Sequence, residues 1–131
     1  SPAMNCFKSK LTKSDGKIFV DGGSFVVEVP EDRYDLYAKY VDKPVIFGIR
    51  PEDIKDPNFL PPGIFPQHVS TKVDVTELMG NEIFLYMTTG DHSFVARVDP
   101  RTRAQMGDET EIAFNMNNMH LFDVETEQAI R

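Results

Sequence analysis

The sequence predicts a mainly β domain, a small antiparallel barrel carrying one short helix. Three observations predict it. Short stretches alternate apolar and polar side chains, the period of a half-buried strand. Turn residues recur about every eight to twelve positions, the spacing of all-β sandwiches and barrels. Only one stretch shifts to a clear helical spacing. A chain of 131 residues has the length of one domain and can bury a core without disulfide or metal staples.

The first third reads as an antiparallel meander. In "CFKSKLT" Phe7, Ser9 and Leu11 share one face, with lysines on the other. Asp15-Gly16 turns the chain into "KIFV", and Asp21-Gly22-Gly23 turns it into "SFVVEV", where Phe25, Val27 and Val29 share a face. Residues 31–41 form the helix: Tyr34, Tyr37, Ala38 and Val41 fall at i, i+3, i+4 and i+7. Pro30 suits its start, Glu31 and Asp32 lie at the positive end of its dipole, and Lys39 and Lys43 lie near the other. Three tyrosines are also the residue type of a base-stacking platform, but at helical spacing beside acids they are packing residues.

"DKPVIFGI" returns to strand, and "KDPNFLPPGIFP" then holds four prolines in twelve residues, an extended connection. Strands resume with Val69, Thr71, Val73 and Val75 on one face. Met79-Gly80-Asn81 turns into "EIFLYMTT", and Gly90-Asp91 into "SFVARVD". Residues 100–106 read as a helical turn, with Asp99 as cap, Pro100 at its first position and Gly107 as its stop. "ETEIAF" and "MHLFD" complete the strands, and "VETEQAI" closes with a turn and a last short strand. About five strands with one helical insertion fit a partly open Greek-key barrel of the oligonucleotide-binding type. The layout is a first β segment over 6–55, a proline-rich connection over 56–66 and a second β segment over 67–131.

Charge narrows the function classes. Residues 1–70 hold 9 basic and 10 acidic residues, and residues 71–131 hold 5 and 11. Phosphate backbones require clustered cations, so the acidic second half argues against nucleic-acid binding. Apolar runs such as Val45 to Ile49 are too short to span a bilayer. The first residues lack the basic and apolar segments of a secretory signal. Cys6 is the only cysteine, which precludes an internal disulfide and fits a reducing compartment; it reads as a small apolar residue opening a strand.

Catalytic signals are lacking. There is no GxxxxGK[ST] loop and no GxGxxG, and the paired glycines are turn chemistry. His68, His92 and His120 show no metal-ligand spacing and no cysteines accompany them. The chain itself is expected to be no enzyme and to hold no cofactor or metal.

One stretch, "VIFGIRPEDI" (45–54), ends an apolar strand with a fixed kink and three charges. Gly48 allows close backbone approach, and Pro51 fixes φ and removes an N–H, so the strand stops there. Arg50 offers a planar fork suited to carboxylates, with Glu52 and Asp53 as its local partners or those of a neighbouring domain. The alternative is a solvated strand cap, since exposed pairs contribute little.

Gly48-Ile49-Arg50-Pro51-Glu52-Asp53-Ile54 resembles the G-x-RPE-x-[IL] signature in the C-terminal regulatory domain of ATP-binding subunits of carbohydrate ABC importers, of the maltose and multiple-sugar type. "SPAMNCF" resembles the segment leaving the ATPase domain in those subunits, with Cys6 in place of the usual aromatic. "VDVTELMGNEIFLYM" resembles the strand–turn–strand unit of the TOBE module, with Met79-Gly80 where the family has Leu-Gly. "HLFDVETEQAI" resembles the closing Leu-Phe-Asp then Thr-Gly, with Glu127 replacing the glycine. The four motifs stand in the family's order and span essentially the whole chain.

The resemblance implies an OB-like barrel of the MOP/TOBE type, with residues 1–5 as the end of a linker from an ATPase domain lacking here. The family's P-loop, signature loop and Walker B segment are absent, so the chain is expected to be the C-terminal piece of a subunit about three times as long. ATP and Mg would belong only to that ATPase domain. The implied partners are a second copy of the subunit, its own ATPase domain, transmembrane permease subunits and, in some members, a regulatory protein, with no nucleic acid. The implied location is the cytoplasmic face of the cell membrane. The implied interface residues are Gly48, Arg50, Pro51, Glu52, Asp53, Phe122 and Asp123. Two alternatives stand beside this reading. One is a TOBE module binding small oxyanions between subunits, which the acidic second half disfavours; the other is nucleic-acid binding by fold analogy.

Overall fold

The computed structural model describes residues 3–131. The mainly β, barrel-like fold with one short helix is as expected, but it is built from ten strands rather than about five, in two curled antiparallel five-stranded sheets. In chain order they are β1 (Asn5–Ser14), β2 (Lys17–Asp21), β3 (Val26–Glu28), β4 (Pro44–Ile49), β5 (Ile54–Lys55), β6 (Pro66–Met79), β7 (Glu82–Thr89), β8 (His92–Val98), β9 (Glu109–Asn115) and β10 (His120–Asp123). The first sheet runs β10-β4-β1-β2-β3 and the second β5-β9-β6-β7-β8. The sheets curl about one core, and the last strand returns to the first sheet to pair with β4.

The strand periodicity sets the core. Phe7, Ser9 and Leu11 point inward from β1, and Phe25, Val27 and Val29 do so from the β3 region. Phe7 lies at the centre of an aromatic cluster, with ring centroids 5.4 Å from Phe25, 5.7 Å from Phe47, 5.5 Å from Phe94 and 5.8 Å from Phe114. Offset and edge-on contacts at these separations suit the ring quadrupoles. His92, at the start of β8, sets its ring edge-on to Phe7 at 5.2 Å. Its Nε2 lies 2.7 Å from the Gly22 carbonyl oxygen. A carbonyl only accepts, so Nε2 carries the proton.

The helical stretch differs from a single helix over 31–41. Only Tyr34–Tyr37 (α1) is α-helical, between 3-10 turns over Glu31–Arg33 and Ala38–Tyr40. Tyr37 is buried, Tyr34 and Val41 are half-buried, and Ala38 is exposed. A 3-10 turn advances three residues per turn, so i and i+3 eclipse while i+4 rotates off the stripe.

Residues 100–106 form no helix. Asp99 Oδ1 instead accepts the Arg101 N–H at 2.8 Å, and the Asp99 carbonyl accepts the Thr102 N–H at 3.0 Å. The aspartate that suits a helix cap closes an Asx turn equally well. Val75 also departs from its expected face. A bulge between Val73 and Val75 shifts the β6–β7 register by one residue. Val73 is therefore buried and Val75 exposed, because a one-residue shift reverses every later side chain. Cys6 lies in β1 on the outward face, a free and exposed thiol rather than a packed residue.

Candidate interface at the sheet corner

The kink after β4 is the corner between the sheets. β4 ends at Ile49, Pro51–Asp53 makes one 3-10 turn, and β5 opens the second sheet by pairing with β9. The Asp53 N–H donates to the Arg50 carbonyl at 2.9 Å and closes the turn. Pro51 takes the first position of that turn, where a missing N–H goes unused and a fixed φ is already correct.

The charges around the corner separate. Asp53 is buried and accepts from the Asn118 side-chain amide at 2.8 Å, so the turn is tied to the loop before β10. Pro51 is buried and Glu52 is half-buried. Arg50 points outward and makes no ion pair among the described residues, neither with Glu52 nor with Asp53. The local pairing expected from adjacency in sequence is thus not made.

Gly48 is a point of close approach. It pairs with Cys6 on one side and His120 on the other. A Cβ there would lie 2.5 Å from Met4 Sδ and 2.8 Å from Phe122 Cε2, both side-chain ends. The glycine therefore lets Met4 and Phe122 close over the outer surface of β4. Ile46, two residues back, faces the same way, opposite Lys8 on one neighbour and Phe122 on the other. Met4, Ile46 and Phe122 are half-buried, so the three make an apolar window on the outside of the first sheet.

Asp123, the last residue of β10, pairs with Val45 toward the start of β4. Its Oδ1 accepts the N–H groups of Glu125 at 2.8 Å and Thr126 at 3.1 Å. These backbone donors hold its carboxyl below the usual carboxylate range. Arg50, Pro51, Glu52 and Asp53 thus form the corner and Gly48 meets Phe122 beside it, whereas Asp123 lies opposite Val45 toward the other end of β4 and is committed to the turn that follows it.

The sequence reading missed two members of this region. Arg33 donates to the carbonyls of Asn117 at 2.6 Å and Met119 at 3.0 Å, and to the Tyr37 hydroxyl at 3.0 Å. It fastens the helical stretch to the loop before β10. His120 lies with its ring stacked on Phe122, centroids 6.4 Å apart. Burial pushes the His120 pKa down, the Arg50, Arg33 and Arg131 cations push it further, and Asp53 opposes them. A half-buried imidazole amid three guanidiniums marks a positively biased spot on an acidic domain. The strand position of His120 was legible in the sequence, whereas its cationic surroundings come from three distant segments.

Comparisons with known proteins agree with this architecture. Residues 1–54 match the MalK OB fold domain, and residues 47–122 match the TOBE domain. The two matches overlap at the corner itself. Among curated relatives, the oligosaccharides import ATP-binding protein MsmX of Bacillus subtilis is 45% identical, covering 100% of this chain and 35% of the relative. The multiple sugar-binding transport ATP-binding protein MsmK of Streptococcus mutans is 39% identical, over 100% of this chain and 34% of the relative. The osmoprotective compounds uptake ATP-binding protein GgtA of Synechocystis is 37% identical, over 99% and 35%. The chain thus spans about a third of the length of these relatives. With more than half of its residues in the TOBE match and its opening strands in the MalK OB fold match, the chain belongs to the TOBE domain family, in the form that begins with a MalK-type OB fold.

Proposed function

We propose that the chain is the regulatory and dimerisation domain of the ATP-binding subunit of a sugar ABC importer. The observation that carries the reading is the outer window of Met4, Ile46 and Phe122 beside Arg50, an exposed guanidinium without an ion-pair partner among the described residues. The import ATP-binding proteins named above support the parent activity. In this reading two copies meet through the corner face, about a two-fold axis, so each residue acts twice. Holding two subunits together makes re-closure of their ATPase domains intramolecular, at effective concentrations on the order of mM. The parent subunit then lies at the cytoplasmic face of the membrane with its permease partners, and ATP and Mg belong to its ATPase domain.

Sedimentation equilibrium of the wild type, Arg50→Ala, Phe122→Ala and Arg103→Ala tests it. Arg103 lies exposed in the loop after β8 and is not part of the Met4, Ile46 and Phe122 window. The expected result is a reversible dimer that Arg50→Ala weakens by about 2 kcal/mol or more. Phe122→Ala should weaken it too, and Arg103→Ala should leave it unchanged. A wild type that stays monomeric at about 1 mM, the concentration matching roughly −4 kcal/mol, overturns autonomous pairing.

A further inference from the structure

The β6–β7 hairpin extends beyond the second sheet. β9 pairs with β6 only as far as Lys72. The Gly107–Asp108 turn then covers Val73, donating from the Gly107 N–H to the Val73 carbonyl at 2.8 Å and accepting the Val73 N–H at 2.9 Å. Beyond it, residues 75–79 pair with β7 on one side and, among the described residues, with no strand on the other.

The polarity of that open edge follows from the turn. Met79 pairs with Glu82 across Gly80-Asn81, with Gly80 at φ +63°. In a two-residue hairpin the closing pair exchanges both backbone bonds, and bonded and non-bonded pairs then alternate. Val75, Glu77 and Met79 therefore bond to β7, while the N–H and C=O groups of Thr76 and Leu78 point outward, unpaired.

The side chains are as unusual as the backbone. Seven large hydrophobics are notably exposed among the described residues, and Val75, Leu78, Met79 and Tyr86 of this hairpin are four of them. Leu78 is 70% exposed and Met79 54%. A fifth, Met106, adjoins Gly107 at the root of the open edge. From Val73 to Asp91 the chain has four acids and no Lys, Arg or His. Glu82 lies 3.6 Å from Arg97, but Asp74 and Glu77 have no cation partner among the described residues.

We propose that the open edge of β6, from Val75 to Met79, takes an added β-strand from a partner polypeptide in which basic and apolar residues alternate. Edge addition uses main-chain bonds for affinity and alternate side chains for specificity. The added strand bonds to Thr76 and Leu78, sets apolar side chains beside Leu78, and sets Lys or Arg beside Glu77 and Asp74. A second copy of this edge is a poor occupant, because an antiparallel pair would bring the same acids together, and like charges across a ladder are destabilising.

Amide hydrogen exchange by NMR on the 131-residue chain tests the proposal with two probes. One is the capped heptapeptide Lys-Val-Arg-Val-Lys-Val-Thr, and the other has Glu at each basic position. The cationic peptide should slow exchange at Thr76 and Leu78 about tenfold at saturation and shift resonances between Asp74 and Ile83; the acidic one should do neither. Leu78→Pro removes an outward N–H without touching a β7 bond, so it should abolish the effect while Val75 and Glu77 stay protected. Glu77→Lys should transfer the preference to the acidic peptide. Indifference to both peptides, or equal response to both, overturns the proposal. So does protection of Thr76 and Leu78 that rises with protein concentration alone, which would identify a second copy as the occupant.

Discussion

The Asn5 carboxamide binds both backbone groups of Val95, donating to its carbonyl and accepting its N–H, each at 2.9 Å. The side chain thus behaves as one residue of a strand laid along the outer edge of β8. It joins the start of the first sheet to the last strand of the second, across 90 positions of sequence.

Asn5→Ala should cost about 2–4 kcal/mol, because Asn5 is buried and its loss strips two backbone groups of partners. Asn5→Asp should be destabilising as well, since a carboxylate would face the Val95 carbonyl. Urea unfolding followed by circular dichroism measures both. A loss under about 0.5 kcal/mol in Asn5→Ala would mean that water replaces the amide.

The β6 bulge separates two valines that lie close in sequence. Val73→Ala should cost about 1–3 kcal/mol and Leu85→Ala about 2–4, since both side chains are fully enclosed. Val75→Ala should change stability by less than about 0.5 kcal/mol. Equal losses at Val73 and Val75 would place the bulge elsewhere.

His120 should titrate below its ordinary value of 6.5, chiefly through burial and then through Arg50 and Arg33. The folded form disfavours the proton, so this contribution to stability is complete above about pH 6.5 and is lost as pH falls from there through the folded-state pKa. Carbon-bound ring protons report the titration by NMR. Arg50→Ala should raise the pKa toward the ordinary value; no change would place the guanidinium too far away to act.

Titration of the chain with Mg-ATP in a calorimeter should give no binding tighter than about 100 μM, roughly −5.5 kcal/mol. A tighter site would conflict with the assignment of nucleotide chemistry to another domain.

The β character was legible where local rules decide the outcome. Alternation in β1 and the Asp-Gly and Gly-Asn turns specify strands and hairpins without reference to the remainder of the chain. Ile54–Lys55 was not legible as a strand, because two residues show no period. The bulge at Asp74 was hidden for the opposite reason, since Val69 to Val75 alternate without interruption in the sequence. Arg50 and Asp53 are neighbours in the chain, yet the turn sends one outward and the other inward to Asn118. The apolar window was legible only in part. Gly48 and Phe122 could be picked out by resemblance, but their contact requires β10 to pair with β4, a match between segments over 70 positions apart that no local pattern encodes.

The pairing of β10 with β4 also bears on how quickly the fold can form. Until His120–Asp123 arrive, β4 is a raw edge carrying Phe47 and Ile49. A nascent chain can build β1–β2–β3 and the β6–β7–β8 hairpins from near neighbours, but β4 must reach back to β1, Ile49 to Asn5, and the first sheet must wait for its final strand. Rates fall as the mean separation of contacting residues grows. Folding should therefore be slow for a chain of this size, and any change that weakens the docking of these four residues leaves β4 open as an aggregation-prone edge.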